Sequence, residues 1–356
     1  MDRASRLIAQ CALADSEAVI IHKPSNMRYL SGYTGEGMLV LSHGVRAVIT
    51  DFRYTEQVGQ QAPGWTCLEI STGIGHADLV GQVLKEHGLT SARYEDDYVT
   101  VKGYETLVQK LPGVALTSLN RAPEALRMVK DEDELAQMEK ACALSSQAFD
   151  YICGVIKPGM TEQQLKLELE YRMLSLGADS VAFSTIVASG PNGSLPHAVP
   201  GSRRVEKGDM VTLDFGARVN GYCADMTRTV AVGEPSAKMK EIYAIVLEAQ
   251  MTCQDALAPG KVCKDIDALA RDIIGKAGYG EHFGHGLGHG VGIDIHEEPR
   301  LSRVGVELLT PGHVVTVEPG IYLPGIGGVR IENTCVITQS GARSLVDAPR
   351  ELLVIT

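Results

Sequence analysis

The sequence predicts an α/β domain over residues 1–122, followed by an α+β domain over 123–356 whose two halves repeat the same element order. Three observations carry this. Short β-branched runs alternate with amphipathic stretches in the first third, capping-box helix starts appear from Asp131 onward, and the order helix, helix, strands then occurs twice. A length of 356 residues is comfortable for two such domains.

In the first domain Ala18–Ile21, Met38–Leu41, Arg46–Thr50 and Cys67–Ile70 read as strands, and the stretches Asp78–Glu86 and Lys102–Lys110 as amphipathic helices. Asp131 with Glu134 is a capping box. Leu135, Met138, Cys142, Phe149 and Ile152 follow at helical spacing up to a stop at Lys157-Pro158-Gly159. A second helix opens on Thr161 and Gln164 and ends near Gly177, and strand and turn signals run on to about Val232. The pattern then repeats, with helices over Lys238–Leu257 and Asp265–Ala277 and strands to about Ile337. Two similar halves enclose a cleft, a usual place for a site.

Composition narrows the function. With 44% apolar and 22% charged residues the chain reads as globular, and a net charge of −11 excludes the basic surface that nucleic acid requires. No apolar run approaches the ~18 residues of a membrane helix. The eight cysteines include no Cys-x-x-Cys pair, and the first residues lack a secretory pattern, so a reduced, cytoplasmic protein is expected.

Three segments concentrate chemistry. The first is Val211-Thr-Leu-Asp214-Phe-Gly, followed by Asn220-Gly221 and Tyr222-Cys-Ala-Asp225-Met-Thr-Arg-Thr229. Asn-Gly between β-like runs signals a tight hairpin. With those two residues at the turn, positions whose numbers sum to 441 pair, and Asp225 falls opposite Gly216. Side chains alternate faces, so Asp214 and Asp225 become diagonal neighbours on one face. Their apolar flanks imply burial, and buried like charges demand a compensating cation. The second segment places His285, His289 and His296 within twelve glycine-rich residues. The third carries Glu318 and Glu332 at the ends of β-branched runs around a Gly/Pro-rich turn, which reads as another hairpin. Four carboxylates and a histidine suit hard divalent ions. Two such ions can share carboxylates and hold a bridging hydroxide, which makes a metal-assisted hydrolase.

These motifs, Asp214-Phe-Gly, Asp225-Met-Thr-Arg-Thr, His285-Gly-x-Gly-His289, His296-Glu, Glu318-Pro-Gly-Ile-Tyr and Arg330-x-Glu332, resemble the pita-bread metallopeptidases on the aminopeptidase P/prolidase branch. Asn26-Met-Arg-Tyr-Leu-Ser-Gly32-Tyr-Thr and Asp51-Phe-Arg-Tyr resemble that branch's creatinase-like N-terminal domain. The resemblance implies a creatinase-like domain and a pita-bread catalytic domain with a pseudo-twofold repeat. It implies hydrolysis of Xaa-Pro bonds by a hydroxide bridging two divalent ions, Mn²⁺ foremost, with Co²⁺ or Zn²⁺ as alternatives. Asp214, Asp225, His289, Glu318 and Glu332 match the ligands, and Glu318 also the proton shuttle. His197, His285 and His296 match histidines at the substrate, Arg330 a residue that orients ligands, and Tyr322 one near the pocket. Arg300 resembles an arginine that meets a dipeptide's free carboxylate, which leaves dipeptidase and aminopeptidase both open. Small peptides with proline at the second position are the implied substrates, and a homodimer the implied assembly. A methionine aminopeptidase-like activity is disfavoured by the N-terminal domain, and a non-catalytic binding protein on the same fold by the full ligand set.

Overall fold

A computed structural model describes residues 1–356, and its contacts divide the chain into two units, Met1–Arg127 and Met128–Thr356. The first unit runs α1 (Arg3–Gln10), β1 (Glu17–Ile21), α2 (Pro24–Ser31), β2 (Met38–Leu41), β3 (Arg46–Thr50), α3 (Thr55–Gln61), β4 (Thr66–Glu69), α4 (His76–Glu86), β5 (Ser91–Tyr94), α5 (Val101–Lys110), β6 (Ala115–Ser118) and α6 (Ala122–Arg127). Its six strands form one mixed sheet in the order β4-β3-β2-β1-β5-β6. β1 is apolar without alternation and buried from Ala18 to Ile21, as befits a central strand covered on both faces. Residues 123–127, at the head of the second domain in the sequence reading, belong to α6 of this unit, which packs on α1 and α2. Arg127, buried, donates to Ser25 Oγ and Asn26 Oδ1 at 3.0 and 2.7 Å.

In the second unit α7 (Glu132–Cys153) starts where the capping chemistry demands. Asp131 accepts the Glu134 N–H at 2.9 Å, and Glu134 accepts the Asp131 N–H at 3.0 Å. It stops at Cys153, short of the expected Pro158. The N–H groups of Gly154 and Val155 bond three residues back, to Tyr151 and Ile152, which tightens and closes the last turn before the chain reaches Pro158. α8 (Glu162–Ser175) opens on the Thr161/Gln164 box.

The hairpin that follows keeps the expected register. Asn220 and Gly221 take φ of 45° and 75°, the left-handed pair of a type I′ turn. From there β10 (Ala217–Val219) pairs with β11 (Tyr222–Cys223) and β9 (Met210–Phe215) with β12 (Met226–Val232), every pair summing to 441, from Val219↔Tyr222 to Met210↔Ala231. β7 (Ser180–Val181) and β8 (Ile186–Ser189) flank them.

The second half has the same order. α9 (Ala237–Ala256) packs on α10 (Cys263–Lys276), and β13 (Gly288–Gly290) and β14 (Glu297–Leu301) follow. A long hairpin then pairs β15 (Val314–Val317) with β18 (Asn333–Ile337), and, nearer its turn, β16 (Gly320–Leu323) with β17 (Gly327–Arg330). Every pair sums to 650, so Glu318 and Glu332 face one another at the break between the two ladders. β19 (Ala342–Ser344) and β20 (Val354–Ile355) complete the sheets, β20 running parallel to β12. Arg228 of β12, 1% exposed, ties the first half to this one and to the C-terminal segment. Its guanidinium donates to the carbonyls of Thr227, Glu332, Ala348 and Pro349 and to Asn333 Oδ1.

His313 is buried beside Thr310, whose N–H meets Nδ1 at 3.3 Å and whose hydroxyl lies 2.9 Å from Nε2. Burial holds the ring down at about 4, with a smaller push from Lys130. As pH falls the unfolded chain takes up its proton first, so the contribution is full above about 6.5 and is lost progressively down to about 4. Between pH 7 and 4.5 the metal-free protein should therefore lose about 2 kcal/mol more than His313→Gln in urea unfolding. Equal losses in the two proteins would refute this.

Candidate active site

A cavity of about 640 Å³ opens where the two hairpins meet. Asp214, Asp225, His289, Glu318 and Glu332 all line it, together with His197, His285, His296, Arg300, Tyr322 and Arg330. Every site residue expected from sequence reaches this one cavity.

Asp225, His289 and Glu332 bring one ligand atom each within 4.8 Å of one another, all three buried. His289 Nδ1 lies 3.0 Å from the Gly290 carbonyl. A carbonyl only accepts, so Nδ1 carries the proton and the Nε2 lone pair is left for another partner. Nε2 stands 3.5 Å from Asp225 Oδ2 and 3.4 Å from Glu318 Oε1. Burial, with minor help from neighbouring cations and histidines, holds this ring down at about 3, so it is neutral.

The carboxylates are in an environment that disfavours their charge. Burial and then Glu332, Asp214 and Glu318 push Asp225 well up, and burial and then Glu318 and Asp214 do the same to Glu332. Glu318 is pushed up to about 8, chiefly by burial. Arg330 is 4% exposed, and burial pulls against its charge, but Tyr322, Asp214 and Glu318 outweigh that. Its Nη2 binds Asp214 Oδ2 at 2.6 Å, its Nη1 the Tyr322 hydroxyl at 3.0 Å, and its Nε the Thr227 hydroxyl at 3.2 Å. The other oxygen of Asp214, Oδ1, is buried without a hydrogen-bond partner. A neutral nitrogen with a free lone pair, an orphaned carboxylate oxygen and three mutually repelling acids together fit divalent cations.

His285 proves to be occupied. Nδ1 donates to Gly286 O at 2.8 Å, so Nε2 accepts from the Tyr322 hydroxyl at 2.8 Å, and the Tyr322 oxygen accepts from Arg330. Both ring nitrogens thus serve the protein, and burial holds the ring down at about 4. His296 and His197 are exposed at the cavity. The His296 ring meets His289 edge-on at 4.4 Å.

Two contributors escaped the sequence reading. The Thr227 hydroxyl donates to Glu332 Oε2 at 2.6 Å. The Thr316 hydroxyl donates to Glu318 Oε1 at 3.2 Å and accepts the His289 N–H at 3.1 Å. Each sits two residues from a ligand-type acid, Asp225 or Glu318, on the same strand face. Strand alternation was the signal that would have found them. Phe183, Ile186 and Ile295 supply an apolar wall.

Comparison with known proteins identifies the family. The model of metallopeptidase family M24 matches residues 136–339, and that of the creatinase/prolidase N-terminal domain matches residues 3–129. A Xaa-Pro dipeptidase of Pyrococcus furiosus is 37% identical over 339 residues, 95% of this chain and 95% of that one. The structure of a Xaa-Pro dipeptidase from Bacillus anthracis superposes with a TM-score of 0.94 at 40% identity, covering 99% of each chain. That of an X-Pro aminopeptidase from Thermotoga maritima superposes with a TM-score of 0.92 at 36% identity, covering 99% of this chain and 100% of that one.

Proposed function

The chain belongs to metallopeptidase family M24 and is a metal-dependent Xaa-Pro peptidase, and we propose that it acts as a dipeptidase through the cavity at residues Asp214–Glu332. The observation that carries this is Arg300 on the wall of the cavity that holds Asp225, His289 and Glu332. Its charge is felt at His289, His296 and Glu318. A dipeptide alone carries its free carboxylate one residue beyond the scissile bond, where such a guanidinium would meet it.

Asp214, Asp225, His289, Glu318 and Glu332 would hold two divalent ions, and the oxygen-rich donor set favours Mn²⁺. Two such ions, when bound, supply a hydroxide nucleophile near neutral pH and polarise the scissile carbonyl. Arg330 and Thr227 orient the carboxylates of Asp214 and Glu332. Glu318 is the natural proton carrier between nucleophile and leaving amine, since its side chain is more open to the cavity than that of Asp225, at 17% against 7% exposure. His296 and His197, exposed at the cavity, would hold the peptide, while His285 would act through Tyr322. Eight free cysteines support a cytoplasmic location, and a homodimer belongs to the same proposal.

The test is a metal-stripped protein reloaded with Mn²⁺, Co²⁺ or Zn²⁺ and assayed on Ala-Pro and Arg-Pro-Pro. Cleavage of Ala-Pro alone is expected, with Arg300→Met raising KM for it by about 10²-fold, the scale of a lost charge-assisted pair. Release of Arg from the tripeptide, unchanged in Arg300→Met, would replace the dipeptidase by an aminopeptidase.

A further inference from the structure

The loop 291–296, between β13 and β14, delivers Ile295 and His296 to the cavity, and its inside is filled by a charged group. The Glu297 side chain turns back under the loop. Its Oε1 accepts the Asp294 N–H at 3.0 Å, and a Cβ at Gly292 would lie 2.6 Å from both carboxylate oxygens. Only glycine lets the backbone approach a carboxylate this closely. The loop's outer groups are fixed too: the Gly292 carbonyl accepts the Cys223 N–H at 2.8 Å, and the Ile293 carbonyl accepts from Arg218 at 3.1 Å. Glu297 Oε2 receives the Lys130 ammonium at 3.0 Å, with the two side chains 1% and 7% exposed. Lys130 is itself fixed, since its N–H donates to Gly312 O at 2.9 Å and Val129 bridges His313.

We propose that Lys130 and Glu297 are positioning residues, a buried ion pair that sets the loop 291–296 and through it the place of His296 over the reacting peptide bond. Neither touches substrate. Desolvation makes an ion pair here a poor source of stability in itself. Its value lies in direction, because a carboxylate that must face both the ammonium and the Asp294 N–H permits one loop conformation. Without the ammonium, the buried carboxylate loses the cation it faces at 3.0 Å, and the loop loses the direction that contact gives it.

The inference rests on the peptidase reading, so its test includes a readout that needs no turnover. In Lys130→Met, kcat should fall by about 10²-fold, the scale of an ångström-level misplacement, with KM little changed. The ring signals of His296 in ¹H–¹⁵N spectra, assigned by their loss in His296→Gln, should shift. Lys130→Met/Glu297→Gln removes both charges of the pair together, and its carboxamide can still accept from Asp294, so it should recover much of the rate and of the His296 signals. Should Lys130→Met fail to fold, Lys130→Arg, which keeps the charge and moves its position, carries the test, and shifted His296 signals with a lower kcat are expected of it. Unmoved His296 signals in Lys130→Met, or a double variant no better than the single, would overturn the proposal. Absence of peptidase activity in the wild type alongside moving His296 signals would instead overturn the peptidase reading and keep the brace.

Discussion

Asp225→Asn and Glu332→Gln should each abolish turnover, by at least about 10³-fold, while leaving the metal-free protein as stable as the wild type or more so. The two halves of this expectation have one cause. Asp225 and Glu332 are buried among other acids, and each is pushed well above its ordinary range. A neutral amide of the same shape relieves repulsion in the metal-free protein and removes an anionic donor from the loaded one. Saturating Mn²⁺ at about 100 Kd should stabilise the wild type by about 2.7 kcal/mol, or about 5–10 °C for a unit of this size. That rise should vanish in both variants. Thermal unfolding with and without Mn²⁺, run beside the dipeptide assay under controlled metal, checks both halves. Full turnover in either variant would sink the two-metal reading, and a collapse of the metal-free fold would contradict the repulsion argument.

Arg330→Met should be the most damaging change to a residue outside the ligand set. It removes a cation buried between Asp214, Tyr322 and Thr227, and breaking such a pair costs about 3–5 kcal/mol, because the partner charge stays buried. It also frees the Asp214 carboxylate to turn and unties the Tyr322–His285 chain, so kcat should fall by about 10²-fold in whatever protein still folds. Arg330→Lys keeps the charge without the planar fork. It should restore much of the unfolding free energy and little of the rate. Urea unfolding and steady-state kinetics on the three proteins separate the two effects. A methionine variant with wild-type kcat would show that Asp214 needs no orienting partner.

The parts of this site written in local sequence were the parts governed by local rules. Asn220-Gly221 dictates its turn, and the turn dictates which face Asp214 and Asp225 share. The same reasoning put Glu318 and Glu332 across a hairpin, and the ladder registers place them opposite one another. The capping boxes at Asp131 and Thr161 marked their helix starts to the residue. The stop of α7 was misjudged because a proline marks where a helix cannot continue, not where it has already ended. Contacts between segments distant in sequence were invisible. Nothing near Lys130 announces Glu297, and nothing near His285 announces that its Nε2 is taken by the Tyr322 hydroxyl, itself held by Arg330. Such pairings depend on how the halves pack, and packing is a property of the whole unit.

The proposed ligand set is shared between two hairpins, Asp214 and Asp225 on one and Glu318 and Glu332 on the other, with His289 between them in the chain. During synthesis the first pair leaves the ribosome well before the last. A growing chain that has made only the first hairpin holds two aspartates and lacks the other three proposed ligands, so it offers a divalent ion only part of the cage. Capture has to wait until the second hairpin has folded against the first. Metal loading then becomes a late check on completed folding, and a truncated or half-folded copy stays empty and inert.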